Sequence, residues 1–198
     1  ALMFIINLSA SSQENVFIKR LGFSVTKELT KNFDLTLNPE LRLGEGLSTE
    51  EFLVESSLEY QPIKYFSIQG KYRFETNPRE NLETEYFHKY ALDLKGKYKI
   101  DRFKFQLRTR YTNYSEYDTD YGLLNPYLRY RLKTEYNIKK SKITPFASVE
   151  YFYQMTDDEF KKVRYALGFD YKIKKRNHIS LEYHYQDYLK KDYARNVI

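Results

Sequence analysis

Three residues at alternate positions near the C-terminal end, His178, Ser180 and Glu182, bring a base, a hydroxyl and a carboxylate into a two-residue rhythm. A histidine can activate a serine for attack on an acyl carbonyl and a carboxylate can orient the histidine, so the chemistry on offer is ester hydrolysis. A second constellation is made of arginine alone: Arg108 and Arg110, then Arg129 and Arg131. Guanidinium groups grip carboxylate and phosphate through paired hydrogen bonds, and rings of them bias a pore toward anions. Which chemistry is real depends on the elements that carry these residues.

Those elements are strands of one kind. Apolar and charged residues alternate with period two in roughly ten segments of the length that crosses a bilayer as a strand. From Tyr90, one face carries Tyr90, Leu92, Leu94, Tyr98 and Ile100, and the other Lys89, Asp93, Lys95, Lys97 and Lys99. The same alternation begins at Leu21 and recurs through Tyr185. Mean hydropathy is that of a soluble protein, −0.72, and no run of ~18 apolar residues exists to form a membrane helix. A transmembrane barrel escapes that test because polar interior residues dilute the average. The 21 tyrosines and 14 phenylalanines suit its two interfacial girdles.

The expected fold is all-β: an up-and-down antiparallel transmembrane β-barrel of about ten to twelve strands. Short turns alternate with long loops, and the short ones fall at 30–32, 61–64, 101–102, 139–142 and 174–177. The longer ones are 44–48, 76–85, 116–125, 157–161 and 190–196. Residues 1–12 read as the remnant of a secretory signal peptide, with small residues at Ala10 and Ser12 before Gln13. The competing reading of the first eight residues is a short buried strand. Residues 13–198 then form one outer-membrane barrel domain. With short turns at the periplasm, the strand from Leu21 descends, so one more rising strand must precede it, which Glu14–Ile18 is too short to supply. At the other end Asn196, Val197 and Ile198 read as a truncated final strand, continuing for ~9–11 residues. Pro39, on an apolar face, predicts a bulge or a strand end.

Lys- and Asn-bearing turns in "TKELTKNFDLTLNPELRL", with the strands "YALDLKGKYKI" and "FKFQLRTRY", resemble a family of outer-membrane proteins common in Bacteroidetes. It is catalogued as a domain of unknown function, number 2490. The resemblance implies fold and location, and carries no activity or catalytic residues.

The polar faces would line a charged lumen. Its cations include Lys71, Arg73, Lys95, Lys97, Lys133, Arg164 and Lys172 besides the four arginines; its anions include Glu40, Glu55, Glu59, Glu75, Asp93, Glu135, Glu150, Asp170 and Glu182. Cross-strand ion pairs that fill the interior are the leading expectation, since charges withdrawn from water must be paired. A path for anions along Arg108, Arg110, Arg129 and Arg131, with few carboxylates adjacent, is the functional alternative. Ile179 and Leu181 aim His178 and Ser180 into the lumen beside a short turn, far from acyl chains. That leaves the hydrolytic set, whose spacing is similar to that of outer-membrane lipid deacylases, as the weak catalytic alternative.

No cysteine, paired-histidine or phosphate-loop pattern supports a metal or cofactor, and none is expected. Asp118, Asp120, Asp157, Asp158 and Glu159 lack the spacing of a calcium loop. The net charge of +6 is interleaved with carboxylates, so nucleic acid is not an expected partner. Expected partners are outer-membrane lipid, lipopolysaccharide, the barrel-assembly machinery and a small anionic solute. The function so read is an integral outer-membrane barrel, structural or narrowly porin-like and not an enzyme. The alternatives are a lipid hydrolase and a soluble lipocalin-like barrel.

Overall fold

The computed structural model describes residues 2–6, 19–44, 49–77, 84–113, 126–174, 177–189 and 194–197. The expected cleavage site at Ala10 and Ser12 before Gln13, the segment 14–18, and Asp118, Asp120 and Ile198 lie outside the described residues.

The chain forms one meander. Strands β2 (Lys19–Thr30), β3 (Phe33–Leu43), β4 (Thr49–Ile63), β5 (Phe66–Asn77) and β6 (Glu85–Ile100) are followed by β7 (Phe103–Thr112), β8 (Tyr127–Tyr136), β9 (Ile143–Gln154), β10 (Glu159–Lys174) and β11 (Asn177–Tyr188). These ten strands pair consecutively and antiparallel, as the alternation predicts. Two short strands complete the sheet: β1 (Leu2–Ile6) and β12 (Ala194–Val197). β1 runs antiparallel to Leu21–Val25 of β2 and parallel to His178–Leu181 of β11. β12 pairs with His184–Asp187 of the same β11 edge. The sheet therefore curls back on itself as an incompletely closed barrel, joined over a few residues at a seam. An additional strand before β2, antiparallel to it, is present as Leu2–Ile6.

Two local expectations are corrected. Pro39 lies inside β3 without a bulge: Gly22 pairs with Glu40 and Val25 with Leu37 in one continuous register. No pair forms between them at Phe23 and Ser24, so the ladder is interrupted where proline offers no N–H. The strict short-then-long rhythm also fails once. The connection expected to be long, between β9 and β10, is only 155–158, whereas the expected short turn between β8 and β9 spans 137–142. Strong alternation carries β9 out to Gln154, and Asp158 accepts the left-handed conformation that the tight reversal needs (φ 55°). Asp101 does the same in the two-residue hairpin between β6 and β7 (φ 49°).

The two faces of the sheet have opposite chemistry. The convex face is apolar and exposed, and on several strands it is zoned. On β6 it runs Tyr86, Tyr90, then Leu92 and Leu94, then Tyr98; on β8 it runs Tyr130, Leu132, Tyr136. β7 has Tyr111, Leu107, then Phe105 and Phe103, and β10 has Tyr165, Leu167, then Phe169 and Tyr171. On these strands aliphatic residues lie between aromatic ones, although Ile100 of β6 and Leu128 of β8 extend beyond the rings. The end rings touch across strands, as in Phe103 with Tyr136 (4.9 Å), Phe33 with Tyr60 (4.7 Å) and Tyr72 with Tyr90 (5.4 Å). The central leucines are open to the surroundings, Leu107 at 57% and Leu167 at 64%. On the concave face the buried charged residues are Arg42, Glu55, Arg73, Glu75, Asp93, Arg108, Arg110, Arg129, Glu150, Lys162 and Arg164, among apolar side chains such as Leu53, Phe146 and Phe152. Gly168 marks the tightest place inside. A Cβ there would meet the carbonyl of Leu181 and lie 2.6 Å from Cζ of Phe146, so only hydrogen lets that ring fold inward over β10.

Candidate functional site: the ion-paired lumen

Period two puts every second residue of each strand into the lumen, and register decides which of them meet. Two neighbouring rungs cross the middle of the sheet. The first runs from Asp93 of β6 to Arg110 of β7, Arg129 of β8, Phe152 of β9 and Lys162 of β10. The second runs from Lys95 to Arg108, Arg131, Glu150 and Arg164 on the same strands. The four arginines singled out in the sequence are thus brought together, as two directly opposed pairs, Arg108 with Arg131 and Arg110 with Arg129. Like charges in that position repel.

The expectation that few carboxylates adjoin these arginines is corrected, because two carboxylates are placed against them. Asp93 receives both arms of Arg110, Nε at 2.5 Å and Nη2 at 2.7 Å. Glu150 receives Arg129 through Nε and Nη2, both at 3.0 Å, while Arg108 also donates to it and Arg164 lies 3.8 Å away. Glu150 is only 3% exposed and Asp93 is fully buried. Two forked pairs at these distances are the strong form of the contact.

Away from this centre the lumen is paired in smaller groups. Glu55 takes Lys71 (2.5 Å) and Arg73 (2.8 Å), Glu75 takes Lys89 (2.6 Å), and Glu135 takes Lys104 (2.9 Å) and Lys133 (3.4 Å). Glu59 takes Lys95 (2.9 Å) and Lys97 (3.7 Å), and Glu40 takes Arg42 (2.7 Å) and Arg20 (3.9 Å). The sequence reading had omitted Arg20, Arg42 and Lys104 from this face. It also missed Phe152, which is 1% exposed and has Arg129 and Arg164 over its ring at 4.4 and 4.9 Å, with the Lys162 ammonium at 4.9 Å. Its signal was present: in Tyr151-Phe152-Tyr153, the middle aromatic has the parity of the charged face.

The hydrolytic set does not assemble among the described atoms. Ser180 is buried and donates its hydroxyl proton to Asp170, its cross-strand partner on β10. Glu182 lies 3.4 Å from His184, and the His178 side chain lies outside what is described. Among the described atoms the Ser180 hydroxyl is held by a carboxylate, and no imidazole is placed against it. In the acidic turn, Lys161 lies against Asp157 (2.5 Å) and Glu159, and Tyr153 donates to Asp158. Among the described residues no group of three His, Asp or Glu is placed to hold a metal ion.

The family described as "Protein of unknown function (DUF2490)" matches residues 21–195. The chain belongs to this family. No curated protein matches it. The DUF2490 match opens at Leu21, an outward residue of β2, and closes at Arg195 in β12, so it takes in all ten strands of the meander and both rungs of the lumen. β1 stands outside it.

Proposed function

We propose that this DUF2490 chain is an integral outer-membrane barrel whose lumen is filled by its own ion pairs, non-enzymatic, with a structural role or a narrow path for small anions. One observation carries the reading: the polarity of the sheet is inverted, with leucines in the open flanked by aromatic rings and paired charges buried inside. Water would penalise a continuous apolar outer face, and monomeric soluble proteins rarely expose one. Hydrocarbon with two interfacial zones matches it. A lipocalin-type barrel needs the reverse arrangement, with apolar side chains around a ligand cavity. The up-and-down antiparallel meander, the strand architecture by which outer-membrane proteins cross lipid, supports the bacterial outer membrane as the location. A Bacteroidetes-type setting belongs to the same proposal.

The test is membrane recovery followed by recording. The complete natural protein, expressed with its own secretion signal, should be found in the outer-membrane fraction and need detergent for release. Inserted into planar bilayers, it should show no steps of the size of an open aqueous porin, because the central rungs leave the lumen occupied. Recovery in the aqueous fraction without detergent would overturn the membrane reading. Porin-sized steps would overturn the filled lumen.

A further inference from the structure

We infer that the lumen holds a binding site for a small oxyanion, of the phosphate or carboxylate class, between Arg108 and Arg131. The inference rests on the lumen geometry described above and concerns an occupant rather than a path. Five arginines, Arg108, Arg110, Arg129, Arg131 and Arg164, share two carboxylates on the central rungs, Asp93 and Glu150. The deficit is not spread evenly. Arg110 and Arg129 each have a forked carboxylate partner, whereas Arg131 makes no ion pair with a described residue and has a single long hydrogen bond, Nη2 to Gln106 at 3.4 Å. Its cross-strand opposite is Arg108, which spends one arm on Glu150.

The Nε groups of both Arg108 and Arg131 are buried and meet no acceptor. Arg108 itself is 6% exposed. Two guanidinium groups stand opposed across one rung, each with a buried donor that meets no acceptor. Leaving such donors unsatisfied is costly, the more so for charged groups. An oxyanion with two or more acceptor oxygens answers both deficits at once, because planar forks match the oxygens of phosphate and carboxylate. Glu59 and Gln69 already hold Lys95, the next cation along the rung, so on this rung the unsatisfied buried donors are those of Arg108 and Arg131.

Inorganic phosphate is the probe. The protein is folded in detergent at low, constant ionic strength and unfolded thermally while phosphate replaces chloride. A saturable rise in Tm is expected for the wild type. Arg131→Gln should reduce the phosphate response at least tenfold in apparent affinity and should be at least as stable as wild type without phosphate, since it removes uncompensated charge. Phosphorus NMR line broadening of phosphate on the wild-type protein supplies a readout that does not depend on a variant folding. No saturable shift and no broadening with wild type would overturn the site, as would an unchanged response in Arg131→Gln. An equal effect of chloride would overturn the oxyanion class. These results do not depend on which membrane the protein occupies, so failure here is separable from failure of the membrane reading.

Discussion

Replacing Glu150 by glutamine is expected to destabilise the folded barrel by about 3–5 kcal/mol, the range for removing one partner of a buried ion pair. Glu150 is the shared counterion of Arg108 and Arg129, with Arg164 close by, and almost no solvent reaches it. Glutamine keeps the shape and one acceptor but leaves three guanidinium groups facing each other across β7, β8 and β10. The denaturant midpoint of folding in detergent or lipid measures the loss. A change below about 1 kcal/mol, the value of a solvated surface pair, would mean that the lumen is wet enough to screen these charges.

The second large effect lies on the opposite face. Leu107→Arg is expected to cost about 2–4 kcal/mol in a lipid bilayer, because it puts an unpaired cation at the middle of the apolar zone. Tyr98→Arg, at the aromatic end of β6, should cost about 0–1 kcal/mol, since depth governs the penalty. The contrast identifies the surroundings. Leu107 is already 57% exposed and Tyr98 62% exposed, so in water both substitutions would fall within about 0.5 kcal/mol of neutral. Reversible folding into vesicles, read as a midpoint shift for each variant, separates the two cases.

How much of this was legible in the sequence depends on whether a feature is local or relational. Parity along one strand is local, so the outward set Tyr90, Leu92, Leu94 and the inward set Asp93, Lys95 could be read directly, as could the two-residue turn at Asp101. Pairing is relational. That Asp93 would take Arg110, or that Glu150 would gather Arg129 from β8 and Arg164 from β10, depends on register between strands, which alternation leaves free in steps of two. The arginine ladder therefore looked poor in carboxylates when read by sequence neighbourhood, although two acidic residues complete its rungs. Phe152 was hidden for a different reason: an aromatic between two tyrosines reads as more of the apolar face unless parity is applied strictly. Leu2–Ile6 could not be placed because a short apolar stretch near an N-terminus has the composition of a secretory signal and of a seam strand alike.

The chain contains no cysteine, which permits the most direct test of inverted polarity. Single cysteines at Leu107, Ala147 and Leu167 on the outward face, and at Ser148 on the inward face, can each carry a small environment-sensitive fluorophore in protein folded into vesicles. Quenching by lipids brominated at mid-chain is predicted to be strong at 107, 147 and 167 and weak at 148, so that the adjacent positions 147 and 148 differ sharply. Equal quenching at 147 and 148, or stronger quenching at 148, would contradict the placement of leucines in lipid and charges within.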